Sequence, residues 1–255
     1  FSKKNYAGAL PWGGGALDEK RGLIYFSTGN PRPKIYGVNR PGINHGANTI
    51  FCLDLESEKV LWKFKETFHD LWNLDVAFPP ILTSVETNNK KFDVVIVLTK
   101  AGNFIMLERT TGKPIYDIEL IKTPKSKIIS ELTSPYQLSI KMPEPITKFD
   151  WSLEDISKIE SKTKKKILEN LNDYEFGLYT PPAPNKAYIY MAEGPIWEGG
   201  AIDQKNKKLY QTVNHTPTIT RPFLQSLWPH SKIKKEFKNE MKIYQNNCAS
   251  CHGKN

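Results

Sequence analysis

The sequence predicts an all-β fold, part of a β-propeller, with a helical insertion and a short α-helical segment at its C-terminal end. Three observations carry that expectation. Between Ala9 and about Thr123, apolar or alternating runs of about 5–6 residues are separated by turn residues, the texture of half-buried strands. Four stretches repeat one pattern of apolar strand, polar turn and second strand. Finally, 39% hydrophobic and 25% charged residues are enough to build a core in a chain of 255, which excludes a disordered class.

The elements follow in order. Leu23–Thr28, Thr49–Leu53, Lys59–Phe64, Asp93–Leu98 and Asn103–Leu107 read as strands. Gly-Asn-Pro, Glu-Ser-Glu-Lys, Lys-Ala-Gly-Asn and Thr-Thr-Gly-Lys-Pro between them are hairpin and loop chemistry. The repeat is seen by comparing Gly15–Tyr25, Phe51–Trp62, Phe104–Ile115 and Gly200–Tyr210. Antiparallel hairpins recurring at irregular spacings of a few tens of residues suggest propeller blades. An ordinary sandwich with look-alike hairpins is the alternative. From Pro143 to Pro184 the pattern breaks. Trp151-Ser-Leu-Glu-Asp-Ile opens like a capped helix, and Leu153, Ile156, Ile159, Ile167, Leu168 and Leu171 keep near-helical spacing. Residues 1–230 are therefore expected to form a partial propeller, with a helical insertion at about 143–184. Residues 231–255 are expected to begin a second domain, since Phe237, Met241 and Tyr244 again fall at helical spacing.

The net charge is +9, from 36 Lys and Arg against 27 Asp and Glu. The lysines sit mainly in Lys158–Lys166 and Lys232–Lys242, without the interleaved aromatics on which single-strand binders stack bases. Solvated faces are the better reading, and no nucleic-acid partner is expected. No run approaches the ~18 apolar residues of a membrane span, so no transmembrane segment is expected in this piece. Three cysteines exclude a disulfide-stapled scaffold, and Cys52, beside Leu53 in a strand, reads as a buried small hydrophobe. A first residue of Phe, with no charged-then-apolar leader, suggests an internal fragment of a longer protein.

Cys248-Ala-Ser-Cys251-His252 is the most specific short motif. Two thiols at this spacing add across the two vinyl groups of haem, and the adjacent His reaches the iron. A zinc site would want a second ligand pair, and the remaining cysteine, Cys52, lies far upstream. A thioredoxin-like pair would want a βαβ setting that is absent. The amphipathic stretch before the motif and the His-Gly that closes and follows it resemble the opening of a class I cytochrome c domain. The sequence given stops at Asn255, so a downstream sixth iron ligand lies outside it.

The β half carries a second resemblance. Trp12-Gly-Gly-Gly-Ala-Leu-Asp18, Phe26-Ser-Thr-Gly-Asn-Pro-Arg-Pro33, Arg40-Pro-Gly-Ile-Asn-His-Gly-Ala-Asn-Thr-Ile50, His69-Asp-Leu-Trp-Asn-Leu-Asp75 and Thr99-Lys-Ala-Gly-Asn103 run in order. This succession, resumed at Tyr179-Thr-Pro-Pro and Gly194–Asp203, resembles the pyrroloquinoline quinone (PQQ) dependent dehydrogenases, the quinoprotein alcohol and glucose dehydrogenase family. A branch of that family with a c-type haem module accounts for Cys248 to His252 as well.

The resemblance implies a role for each matching residue. Trp12 matches the Trp whose indole stacks on the planar quinone. Asn30 matches an oxygen ligand of the metal on the quinone, Ca²⁺ or a lanthanide. Lys100 matches a cation beside the quinone oxygens, favouring the negative charge that develops on reduction. Cys248 and Cys251 would hold haem c, with His252 on its iron. The family usually reads His-Asp-x-Trp-Asp, the last Asp being the general base; here that position is Asn73. An amide cannot accept a proton at neutral pH, so Asn73 can orient a substrate or ligate metal only. Asp75 is the nearest carboxylate, and in an extended segment it would project on the same side as Asn73. Asp75 then supplies the base, or serves the metal, or the catalysis is altered. The implied activity is oxidation of a small alcohol or sugar hydroxyl, with electrons passing through haem to an external acceptor, a cytochrome or quinone. The implied location is the bacterial periplasm or the outer face of the inner membrane. The rival reading is a non-catalytic propeller platform tethered to an electron-transfer cytochrome.

Overall fold

The computed structural model describes residues 8–76, 78–87, 89–147, 153–156, 161–184, 186–190, 194–195, 199–214, 218–220 and 238–247. The chain separates into two compact units, Phe1–Pro222 and Phe223–Asn255. In the second, the described element is the helix Lys238–Asn247.

The first unit is dominated by antiparallel meanders. Strands β1 (Gly15–Asp18), β2 (Leu23–Ser27), β3 (Thr49–Asp54) and β4 (Val60–Lys65) pair in chain order into one four-stranded sheet. Strands β5 (Ile81–Thr87), β6 (Lys90–Leu98) and β7 (Phe104–Glu108) form a second sheet, extended by a bridge between Leu107 and Pro114. The hairpin β8–β9 (Glu119–Lys122, Tyr136–Ser139) follows. The short helices Leu153–Ile156 and Ser161–Glu169 and a 3₁₀ turn at Leu171–Asp173 come next. Helix thus falls inside the expected insertion, but β10 (Tyr174–Glu175) already begins within it. Strand β10 pairs with β11 (Ala187–Tyr190), and β12 (Ala201–Asp203) pairs with β13 (Lys208–Tyr210).

Side-chain alternation explains how the sheets stack. In the first sheet Leu23, Tyr25, Ile50 and Cys52 fall on one face, and in the second Val95, Val97, Ile105 and Leu107 do. These eight form one core with Val76 and Ile140, and Trp62 and Phe64 pack against it. The opposite face of the second sheet, with Val94, Ile96, Leu98 and Met106, packs with Ile81, Phe92, Ile146 and Leu209. A sheet covered on both faces needs an unbroken apolar strand rather than an alternating one, which is why Val94-Val-Ile-Val-Leu98 is continuous. Each such side chain contributes about 1.5–3 kcal/mol by leaving water.

Further contacts join the sheets. Gly112, at φ 69°, lies so close to the Trp62 indole that an added Cβ would sit 2.5 Å from the ring. The Trp62 Nε1–H donates to the Arg109 carbonyl at 2.9 Å, and the Tyr25 hydroxyl donates to the same oxygen at 3.2 Å. The Arg109 guanidinium donates to Asp18 Oδ2 at 2.9 Å and to the Thr83 carbonyl at 2.9 Å. The Trp of one repeat is thus docked on the turn glycine of the next.

Candidate active site

In the first sheet the antiparallel meander makes β2 and β4 run in the same direction, so their C-terminal loops emerge at one end. The loops after β2, β4 and β6 carry Asn30, Asp75 and Lys100, and the segment before β1 carries Trp12. All four meet. The Lys100 Nζ lies 2.9 Å from Asp75 Oδ2, and the Asn30 N–H donates to Asp75 Oδ1 at 2.9 Å. A Cβ on Gly29 would collide with both Asp75 Oδ1 and Trp12 Nε1, so the third residue of Ser27-Thr-Gly-Asn30 must lack a side chain. The backbone closes the cluster further, with Lys100 N–H donating to the Asp75 carbonyl at 3.2 Å and Val76 N–H to the Thr28 carbonyl at 3.3 Å.

Asp75 and Lys100 are both largely buried, at 7% and 12% side-chain exposure. Trp12 is different: 47% of its surface is open, beside a buried ion pair. Cations outnumber the carboxylate here. Burial, then the neighbouring Arg32 and Lys100, hold the Lys34 ammonium below its ordinary pKa, with Asp75 opposing. A cleft of about 480 Å³ opens on the outer face of the second sheet, lined by residues such as Ile96, Met106 and Leu209; it includes none of these site residues.

The loop from His69 to Asp75 departs from the extended path expected for it. Asn73 has φ 62° and His69 φ 49°, both left-handed. The cause is Asp70, whose buried carboxylate accepts the N–H of Trp72 at 2.7 Å, the N–H of Leu74 at 2.8 Å and Asn48 Nδ2 at 3.0 Å. The chain is wound around that carboxylate, and simple alternation between Asn73 and Asp75 does not apply. Asp70 is thereby committed to loop backbone. Asn73 Oδ1 is buried and has no hydrogen-bond partner among the described residues. Beneath the loop, Trp72 packs edge-on against Tyr179 at 5.2 Å and donates from Nε1 to the Thr180 carbonyl at 2.8 Å. The Tyr179-Thr-Pro-Pro motif is thus the floor under Trp72.

Several residues that hold the site were assigned no role from the sequence. The buried Arg40 donates to the Pro33 carbonyl and to Asn44 Oδ1, at 2.9 and 2.7 Å, and also to the Asp70 carbonyl, so it ties the β2–β3 loop to the Asp75 loop. His69 donates from Nδ1 to the Gly42 carbonyl at 2.7 Å, and burial lowers its pKa. Lys65 donates to the Asn44 and Ala47 carbonyls at 3.0 and 2.5 Å, and burial brings its ammonium down to about 8. Glu66 is buried behind the Lys100 turn. An Asx-type turn at Asp70 was readable as a local signal; Arg40 opens the Arg40–Ile50 motif, but its role, like that of Glu66, depends on partners 30 or more residues away.

The site fits a flat, oxygen-rich cofactor with a hard cation. Trp12 offers a half-exposed aromatic residue and Lys100 a cation. Asn30 Oδ1, Asn73 Oδ1 and the Asp75 carboxylate are hard oxygen donors, and Asn73 Oδ1 accepts no hydrogen bond among the described residues. Among the described residues no three His, Cys, Asp or Glu side chains converge, so Asp75 is the lone carboxylate of this donor set. Cys248, Cys251 and His252 lie outside the described residues.

Comparison with known proteins agrees with the architecture. The glucose/ethanol/alcohol dehydrogenase β-propeller profile of the PQQ family matches residues 2–252. Quinoprotein glucose dehydrogenase A of Acinetobacter calcoaceticus is 27% identical over 231 residues, covering 86% of this chain and 28% of that protein. Quinoprotein glucose dehydrogenase of Escherichia coli is 25% identical over 224 residues, 86% of this chain and 27% of its own. Quinoprotein alcohol dehydrogenase PedH of Pseudomonas putida is 34% identical over 106 residues, 42% of this chain and 18% of its own. The chain thus spans roughly a quarter of the length of the two glucose dehydrogenases it matches. With stacked antiparallel sheets, a Trp docked on the next repeat's glycine and a profile match along nearly its whole length, this chain belongs to the PQQ-dependent glucose/ethanol/alcohol dehydrogenase family, in its β-propeller domain.

Proposed function

We propose that this chain supplies part of the active site of a PQQ-dependent dehydrogenase that oxidises the hydroxyl of a small alcohol or sugar. The observation that supports it is the meeting of four separate segments: Trp12 and Asp75 close on the position of the missing Gly29 Cβ, and Lys100 and Asn30 are both held on the Asp75 carboxylate. Trp12 stacks on the cofactor ring and Lys100 lies against its oxygens. Asn30 and Asp75, with Asn73, contribute oxygens to a Ca²⁺ or lanthanide ion. Asp75 takes the proton of the substrate hydroxyl, because it is the carboxylate of the cluster and Asn73 has no basic site. When bound, the quinone supplies a two-electron redox group and the metal a Lewis acid. The spacing of Cys248, Cys251 and His252 supports a covalent haem c that relays electrons to an external cytochrome or quinone. A periplasmic setting, or the outer face of the inner membrane, suits such a protein.

The test is titration of the full-length protein with PQQ and Ca²⁺, read by quinone absorbance and alcohol- or sugar-dependent dye reduction. Tight binding is expected, weakened ~10–100-fold in Lys100→Met. Failure of the wild type to bind the quinone would overturn the proposal. A second reading, a non-catalytic platform attached to an electron-transfer cytochrome, draws support from Asn73 and from the engagement of both Asp75 oxygens. Quinone bound without turnover on any alcohol or sugar would select it.

A further inference from the structure

Glu66 follows β4 directly and is fully buried. Its Oε1 accepts two hydrogen bonds, from Thr99 Oγ1 at 2.6 Å and from Asn103 Nδ2 at 2.7 Å. Those donors are the first and last residues of one tight turn. The turn is closed on itself by Gly102 N–H to the Thr99 carbonyl at 2.8 Å and Thr99 N–H to the Asn103 carbonyl at 3.2 Å. Lys100 is its second residue, and its N–H and Nζ both donate to Asp75. Glu66 is itself anchored, its N–H donating to the Asn48 carbonyl at 2.9 Å.

The other carboxyl oxygen is informative by contrast. Among the described residues Glu66 Oε2 is buried with no hydrogen-bond partner, and so is the Thr67 hydroxyl beside it in sequence. An ionised carboxylate wants its lone pairs filled on both oxygens, and a half-filled buried one is costly. Burial, with Asp70 nearby, pushes the Glu66 carboxyl up to about 7. What the site uses is therefore one acceptor oxygen rather than a charge.

We propose that Glu66 is a positioning residue for Lys100: by accepting hydrogen bonds from both ends of the Thr99–Asn103 turn, it fixes the backbone from which Lys100 reaches Asp75. Its consequence for cofactor binding rests on the reading of Lys100 and Asp75 as part of the quinone site. The geometric claim does not.

The experiment uses the full-length protein without added quinone. Trace acetic anhydride labels its lysines, and mass spectrometry compares Lys100 with the exposed Lys63 and Lys113. Glu66→Ala leaves two buried donors unpaired and frees the turn, so Lys100 labelling should rise ~10-fold while the reference lysines stay constant. Glu66→Gln keeps the acceptor oxygen and should stay within ~2-fold of wild type. Unchanged Lys100 labelling in Glu66→Ala would overturn the proposal, as would an equal rise in Glu66→Gln. Should Glu66→Ala fail to fold, Thr99→Val decides, since it removes one donor at nearly constant shape. A rise of ~3-fold supports the assignment and no rise overturns it. PQQ titration of the same variants should show affinity falling ~10-fold in Glu66→Ala and held in Glu66→Gln. Absence of quinone binding in the wild type would count against the proposed function, while the labelling still reads the positioning.

Discussion

Lys100 Nζ lies 2.9 Å from Asp75 Oδ2, and this buried pair joins the loop after β4 to the turn after β6. Asp75 Oδ1 is held at the same distance by the Asn30 N–H, so one carboxylate ties three strand ends together. A pair this buried is costly to break, about 3–5 kcal/mol for removal of one partner, because the other charge is left uncompensated. The pair is therefore both scaffold and chemistry, and variants must be read with a folding control beside them.

Asp75→Asn in the full-length protein, assayed with excess PQQ and Ca²⁺, should lower kcat by ~10²–10⁴ through loss of the proton acceptor. Wild-type turnover in that variant would remove Asp75 as the base. Asn73→Asp adds a carboxylate at a left-handed position that Asp tolerates nearly as well as Asn, so it should raise turnover, at a cost in stability because Asn73 Oδ1 is buried with no hydrogen-bond partner among the described residues.

Gly112→Ala should destabilise the protein by about 2–4 kcal/mol, since a methyl must displace the Trp62 ring and adopt a positive φ. Urea unfolding of the full-length protein gives the value. Trp62→Phe keeps most of the ring but loses the donor to the Arg109 carbonyl, and should cost about 1–2 kcal/mol.

Glu66 makes stability depend on pH with a definite sign. Its carboxyl is raised in the fold from 4.5 to about 7, so between those values the folded protein holds a proton that the unfolded chain has lost. Stability from this group is full below about pH 4.5 and falls as pH rises to about 7, by on the order of 3 kcal/mol. The wild-type melting temperature should therefore drop relative to that of Glu66→Gln between pH 5 and about pH 7. Parallel curves would show that Glu66 does not titrate in this window.

Cys248→Ser and Cys251→Ser should each weaken, and together abolish, covalent attachment of haem, read as loss of haem-stained protein on denaturing gels and of the c-type pyridine haemochrome band. Quinone binding at Trp12 and Lys100 should survive, because those residues belong to the other compact unit. A wild-type protein without attached haem would remove the relay from the proposed function.

Much of the fold was legible because a half-buried strand must alternate and a doubly covered one must be apolar throughout. Leu23–Ser27, Thr49–Asp54, Val60–Lys65 and Phe104–Glu108 lie within about one residue of expectation, whereas β6 begins three residues before it, at Lys90. Strand β5 escaped notice, since Ile81–Thr87 interrupts its apolar residues with Thr, Ser and Glu and takes its identity from seven paired residues of β6. Trp12, Asn30, Asp75 and Lys100 could each be picked out from ordered motifs, but their meeting depended on three strand ends from two sheets and a glycine with no Cβ. The left-handed turn at Asn73 was set by the Asp70 carboxylate capturing two backbone N–H groups, and the tethers from Arg40 and Glu66 span 30 and 33 residues or more. Alternation and turn chemistry are local, and the sequence determines them directly. Which buried donor meets which acceptor depends on how the sheets stack, and only the tertiary structure decided that.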